Sequence, residues 1–185
     1  LCPHFHLSMQ SGCDSVLARM NRKYDSARYY KSVKLLNEAY EAPGITTDLI
    51  VGFPGETEEE FQQTLAFIRR CAFSAMHIFP YSRRPGTPAD GMPGQILNSI
   101  KEERAHRAQQ TALEMEAAYL DRWVGQTVPV LFEEERDGLW RGHTTRYSEV
   151  AAPSGEDLHN QLRQVYITGR AGNILQGELC EGQEK

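Results

Sequence analysis

The sequence predicts an α/β chain made of half a parallel β/α barrel, a connecting helix and a small five-stranded antiparallel β-barrel. Three observations predict it. Strand-period and helix-period segments alternate over residues 1–94, a long polar helical stretch fills 95–124, and five short β-like segments separated by turn residues fill 125–185. Parallel β/α units and small barrels leave these signatures.

Residues 4–10 alternate, with His4, His6, Ser8 and Gln10 on one face and Phe5, Leu7 and Met9 on the other. In a closed barrel the polar set lines the lumen, with His4 and His6 packing or hydrogen-bonding there or touching a substrate; a solvated edge strand would give the same pattern. A short helical run over 15–20 follows, which Asp14 or Ser15 can cap, and then an amphipathic helix over 26–42 with Tyr29, Val33, Leu36 and Tyr40 in its stripe. Pro43-Gly44 ends that helix, and 45–53 reads as a buried strand closed by Pro54-Gly55. Thr57 and Glu60 form a capping box for a helix reaching about Ala72, with Phe61, Leu65 and Ile68 inward. A third strand over 75–81 leads into the rigid, basic loop 82–88.

The helix over 95–124 mixes Arg104, Arg107 and Arg122 with glutamates, which reads as a solvated connector. Beyond Gly125 the β-like segments are 127–134, 138–144, 147–152, 161–168 and 173–179, joined by Asp137-Gly138, Pro153-Ser154-Gly155 and Ala171-Gly172-Asn173 turns.

With 185 residues and 40% apolar composition the chain can bury a core. It has no apolar run of membrane-spanning length and no basic, apolar leader, so a cytoplasmic protein without membrane contact is expected. Cys2, Cys13, Cys71 and Cys180 are too scattered for a zinc ribbon or a disulfide framework, and no metal site is expected. The net charge of −5 excludes a general polyanion grip, and residues 125–185 hold six Lys and Arg against ten Asp and Glu. RNA contacts on the small barrel would fall to Trp140, Arg141, Arg146 and Tyr147, although such aromatics equally suit a core. In the first part, Gln10 closes one strand, Asp48 lies in the next and Arg22 follows the short helix. An amide, a carboxylate and a guanidinium at strand ends suit a small molecule with hydroxyls, an amino group and a carboxylate.

Four segments carry a more specific signal. They are Cys2-Pro3-His4-Phe5-His6 followed by Gln10-Ser11-Gly12-Cys13-Asp14, Met20-Asn21-Arg22-Lys23-Tyr24, Thr47-Asp48-Leu49-Ile50-Val51-Gly52-Phe53-Pro54-Gly55-Glu56-Thr57, and Phe79-Pro80-Tyr81-Ser82-Arg83-Arg84-Pro85-Gly86-Thr87-Pro88. In order and spacing they resemble the radical S-adenosylmethionine (SAM) methylthiotransferases, most of all the branch acting on threonylcarbamoyladenosine in tRNA. The resemblance covers essentially the whole chain and implies the second half of a radical SAM partial barrel, followed by a TRAM-like RNA-binding barrel. It implies SAM as cofactor, with Gln10 near the ribose, Arg22 on the methionine carboxylate, Asp48 and Ile50 against the nucleoside, and Tyr81 at the adenine end. The family reaction adds a methylthio group to carbon 2 of a modified adenosine next to the anticodon, so tRNA is the implied partner. The runner-up substrates are isopentenyladenosine in tRNA and a ribosomal-protein aspartate.

The resemblance also implies two 4Fe-4S clusters, held by cysteines of the amino-terminal region in C-x-x-x-C-x-x-C and related spacings. No two cysteines here are closer than eleven positions, so the ligands are absent from this chain. The expectation is a carboxy-terminal piece, inactive without the missing amino-terminal half of the same enzyme; a non-catalytic RNA-binding fragment is the alternative.

Overall fold

The structure, a computed structural model, describes residues 2–180. It divides into two compact units, one of Phe5–Met115 and the other running from Glu116 onward together with the residues up to His4.

In the first unit a three-stranded sheet runs in the order β1 (His4–His6), β2 (Gly44–Val51), β3 (Ala75–Pro80). β2 and β3 are parallel, with Asp48 opposite His77 and Ile50 opposite Phe79. The helices α1 (Asp14–Arg19), α2 (Ser26–Ala39) and α3 (Glu58–Cys71) alternate with the strands as the periodicity requires. Ile45, Leu49 and Val51 of β2 are buried in one cluster with Tyr29 and Val33 of α2 and Phe61, Leu65 and Ile68 of α3. The opposite face carries Thr46, Asp48, Ile50, His77 and Phe79 and stays open, with Phe79 52% exposed.

Local signals set the helix ends. Asp25 accepts from the Arg28 backbone N–H to cap α2, and Thr57 and Glu60 form the expected capping box of α3. β1 is shorter than the alternation over 4–10 predicts, for a visible reason. The Leu7 N–H still donates to the Thr46 carbonyl at 2.9 Å, and beyond it side chains take over: the Thr47 hydroxyl accepts from Met9 N–H at 3.0 Å, while the Tyr29 and Tyr24 hydroxyls donate to Leu7 and Met9 carbonyls at 2.7 and 2.9 Å. Gln10, at φ 69°, rejoins the sheet only as a single parallel bridge to Leu49.

The helix α4 (Asn98–Asp121) does not present the solvated surface expected of its charge pattern. Lys101, Arg104, Ala108, Thr111 and Ala112 are all buried, because Glu56 and the Tyr81 carbonyl supply buried partners for the two cations. No helix among the described residues is long and apolar enough to cross a membrane.

The second unit is a closed barrel of β4 (Thr127–Arg136), β5 (Leu139–Thr144), β6 (Glu149–Ala152), β7 (Leu162–Ala171) and β8 (Ile174–Leu179), in the order β4-β5-β6-β8-β7. It is mixed rather than antiparallel: four neighbouring pairs are antiparallel, but β6 runs parallel to β8 through Val150 opposite Leu175. Parity requires this, since strand directions cannot alternate all the way around a ring with an odd number of strands. The core holds Val130, Phe132, Trp140, Val150, Leu158 and Ile167, with Tyr119 and Leu120 from the end of α4. Gly142 sits where a Cβ would lie 2.2 Å from the Leu131 carbonyl oxygen, beside the register shift between Phe132 and Glu134.

Candidate functional site

Along the open edge of the first unit's sheet lies a cleft of about 700 Å³ whose walls include Gln10, Arg22, Asp48, Ile50, Phe79 and Tyr81. All five residues singled out for a small-molecule site therefore line one space. Each is held by its own local geometry. The Gln10 N–H donates to the Asp48 carbonyl and the Gln10 carbonyl accepts from Ile50 N–H, both at 2.9 Å. Asn21 at φ 57° turns the chain out of α1, and the Arg22 N–H closes the turn on the Leu17 carbonyl at 2.9 Å, leaving the Arg22 side chain exposed. The Tyr81 N–H continues the sheet to the Val51 carbonyl at 2.8 Å, and its ring packs edge-on against Phe53 with centroids 5.2 Å apart. Among the described residues the buried Tyr81 hydroxyl has no hydrogen-bond partner.

Asp48 is oriented by His6, which the alternation places in the lumen with a packing, hydrogen-bonding or substrate role, and by Ser8 of the same polar face. Its Oδ2 accepts from Ser8 Oγ at 3.3 Å and pairs with His6 Nε2 at 3.2 Å, while His6 Nδ1 meets Thr46 Oγ1 at 3.0 Å. No protein group bonds to Oδ1 among the described residues, so that oxygen remains available as an acceptor. The polar alternation His6, Ser8, Gln10 was the available signal for this network.

An unassigned set supports the far wall. The buried Glu56 carboxylate accepts from Gly52 N–H at 2.6 Å and from Arg104 Nη1 at 2.8 Å, and Arg104 Nη1 also donates to the Glu56 carbonyl at 3.0 Å. Burial pushes the Glu56 carboxyl up from its ordinary value, against the pull of the Gly52 N–H and the Arg104 charge. Lys101 donates to the Tyr81 carbonyl at 3.0 Å, and its Cγ lies 2.5 Å from where a Cβ on Gly52 would be. Gly52 has φ +71°, so both backbone conformation and space require glycine there.

SAM fits this donor set: guanidinium for carboxylate, Asp48 Oδ1 and the Gln10 amide for hydroxyls and an amino group, and Ile50 with the Phe79 and Tyr81 rings for a base. An iron–sulfur cluster does not fit. Cys13 and Cys71 are buried, burial pushes the Cys71 thiol up to about 12, and among the described residues no three His, Cys, Asp or Glu side chains are grouped to hold a metal.

The four residues proposed for RNA contact do not share a surface. Trp140 is 7% exposed and belongs to the barrel core, which corrects its assignment as a stacking platform. Arg141, next along the strand, faces the other way and pairs with Glu149 at 3.3 Å. The Arg146 guanidinium lies 4.4 Å from the Trp123 ring centroid. Tyr147 is 68% exposed and stacks on His143 with centroids 4.7 Å apart.

Residues 2–68 match the model of the radical SAM superfamily. Over 96% of its length the chain is 37% identical to the threonylcarbamoyladenosine tRNA methylthiotransferase MtaB of Bacillus subtilis, of which it covers 42%. It is 45% identical to the protein of that name from Thermotoga maritima, over 72% of this chain and 31% of the relative. The tRNA-2-methylthio-N(6)-dimethylallyladenosine synthase of Oleidesulfovibrio alaskensis is 42% identical over 96% of this chain and 43% of the relative. The chain thus spans less than half the length of these relatives, and by its match to the superfamily model and its identity to these relatives it belongs to the radical SAM methylthiotransferase family.

Proposed function

We propose that this chain forms the SAM-binding wall and an RNA-contacting barrel of a tRNA methylthiotransferase that modifies carbon 2 of threonylcarbamoyladenosine beside the anticodon. The convergence of Gln10, Arg22, Asp48, Ile50 and Tyr81 on one cleft carries the reading. Bound SAM supplies the methyl group and the hydrogen-abstracting chemistry, whose iron–sulfur partners sit on residues outside this chain. Arg22 grips the methionine carboxylate, and Asp48, held by His6 and Ser8, accepts from hydroxyl or ammonium groups. Ile50 and Phe79 exclude water from the base. Arg141, Arg146 and Tyr147 are the barrel's RNA contacts, with Tyr147 and His143 offering a stacked surface. The whole enzyme works in the cytoplasm, where its tRNA is, and this chain by itself is inactive.

Calorimetric titration of the full chain with S-adenosylhomocysteine, which cannot be cleaved, tests the cleft. Saturable binding is expected, weakened roughly 10- to 100-fold by Arg22→Ala, as for loss of a charge-assisted pair. Binding untouched by Arg22→Ala and by Asp48→Ala together, or absent from the wild type, would sink the assignment.

The identity shared with the dimethylallyladenosine synthases supports a second substrate. Nucleoside mass spectrometry of tRNA from cells lacking the whole protein separates the two. Loss of the methylthio mark from threonylcarbamoyladenosine supports the first reading, and loss from dimethylallyladenosine supports the second.

A further inference from the structure

Beside the SAM cleft, on the same unit, opens a larger groove of about 1040 Å³, whose lining includes His6, Arg22, Lys23, Asp25, Arg28 and Ser32. Its charge is out of keeping with the rest of the chain. Residues 19–34 contain six Lys and Arg against a single acid, Asp25, in a chain of net charge −5, and although Arg19 pairs with Glu60 and Lys34 lies 4.0 Å from Glu38, Arg22, Lys23, Arg28 and Lys31 remain. Asp25 is committed to capping α2 through the Arg28 N–H at 2.7 Å. Among the described residues no carboxylate pairs with Arg22, Lys23 or Arg28, and Lys23 bonds only to the Asn21 amide oxygen at 2.8 Å. These cations contrast with Arg19, Arg104, Arg107 and Arg170, each paired with a carboxylate. Groups of exposed cations without counter-charges raise the local potential and attract polyanions. Arg22 and Asp25 stand on the turn between α1 and α2, and Arg22 lines both the groove and the cleft.

We propose that this groove holds the phosphate backbone of the RNA substrate and leads it to the cleft, so that the main electrostatic grip on RNA lies on the α/β unit and the acidic barrel adds stacking. Resting on the tRNA reading above, this names the surface that takes the polyanion. Lys23 and Arg28 neutralise phosphates as point charges and fork donors, Ser32 offers a hydroxyl to a phosphate oxygen, and the open sheet face at His6 receives the nucleoside beyond.

Fluorescence anisotropy of a synthetic anticodon stem–loop RNA with the full chain, over a range of salt concentrations, tests this, with S-adenosylhomocysteine binding measured on the same preparations. A single-strand contact contributes about 0.7 to the slope of log affinity against log salt, or about fivefold at 0.1 M salt. Lys23→Ala/Arg28→Ala is expected to weaken RNA binding about 25-fold and to lower the slope by about 1.4, leaving S-adenosylhomocysteine affinity unchanged. Unchanged RNA affinity and slope in that variant, with binding lost instead in Arg141→Ala/Tyr147→Ala, would overturn the groove; so would absence of RNA binding by the wild type. Loss of S-adenosylhomocysteine binding by the wild type with the groove effect intact would overturn the cleft assignment and leave the groove standing.

Discussion

Replacing Arg104 with Met removes the cation paired with a carboxylate that has almost no contact with water. The Glu56 side chain is 1% exposed and the Arg104 side chain 6%. Without Arg104 the Glu56 carboxyl takes up a proton rather than remain a buried, unpaired charge. At pH 7, protonating a group whose ordinary pKa is 4.5 costs about 3.4 kcal/mol, and the lost hydrogen bond to the Glu56 carbonyl adds about 1 kcal/mol. At pH 5 the proton costs only about 0.7 kcal/mol, so the total falls from about 4 to about 2 kcal/mol. The sign follows from the loss of the Arg104 charge and hydrogen bond, both of which lower the Glu56 pKa against its burial: without them the folded pKa rises further, the native variant binds the proton more tightly than the unfolded chain, and its stability relative to wild type is lost as pH rises above 4.5. Urea denaturation of Arg104→Met and the wild type at both pH values measures the difference. In Glu56→Gln/Arg104→Met no charge is left, and most of the pH-dependent part should return. A loss equal at pH 5 and pH 7, or below about 1 kcal/mol at pH 7, would refute the claim that Arg104 lowers the Glu56 pKa against its burial.

Glu60, held to about 2 chiefly by its hydrogen bond with Arg19, helped by Ser15 and the Thr57 N–H, contributes stability that is present above pH 4.5 and lost as pH falls through about 2. Glu60→Gln should cost about 2 kcal/mol in denaturant titrations at pH 6, and most of that difference should be gone near pH 2.5. Gly142→Ala should destabilise the barrel by about 2 kcal/mol or more, read as a lower melting temperature, since its Cβ would strike backbone atoms of Leu131 and Phe132. Trp140→Ala should cost about 3–5 kcal/mol through the cavity it leaves, whereas Tyr147→Ala should stay within about 1 kcal/mol of wild type. Equal effects in that pair would mean that the inward and outward faces of the barrel are misassigned.

What the sequence made legible was what local chemistry decides. The capping box at Thr57 and Glu60 and the helix stripe at Phe61, Leu65 and Ile68 depend on neighbours a few residues away. Strand alternation also held information that went unused. Trp140 and Arg141 are adjacent in β5 and must point to opposite faces, so they could never have formed one RNA surface. The same parity applied to whole strands would have ruled out an all-antiparallel closed barrel of five.

The buried cations were illegible for a different reason. Lys101 and Arg104 sit in a helix whose composition is that of a solvated surface, and nothing in the helix itself distinguishes them from Arg107, whose side chain is 30% exposed. Their burial depends on Glu56, 48 positions before Arg104, and on the Tyr81 carbonyl, 20 before Lys101. A buried charge is tolerable only where its partner is also buried. The Gly52–Glu56 loop follows β2 and Tyr81 follows β3, so α4 fixes the ends of both strands through charges as well as through its apolar contacts. Placing ionic ties there makes the cleft's far wall sensitive to the protonation of one carboxyl. Loss of Arg104 should therefore weaken S-adenosylhomocysteine binding more at pH 8 than at pH 6, and a uniform loss across that range would mean that the Gly52 loop holds its shape without the Glu56 charge.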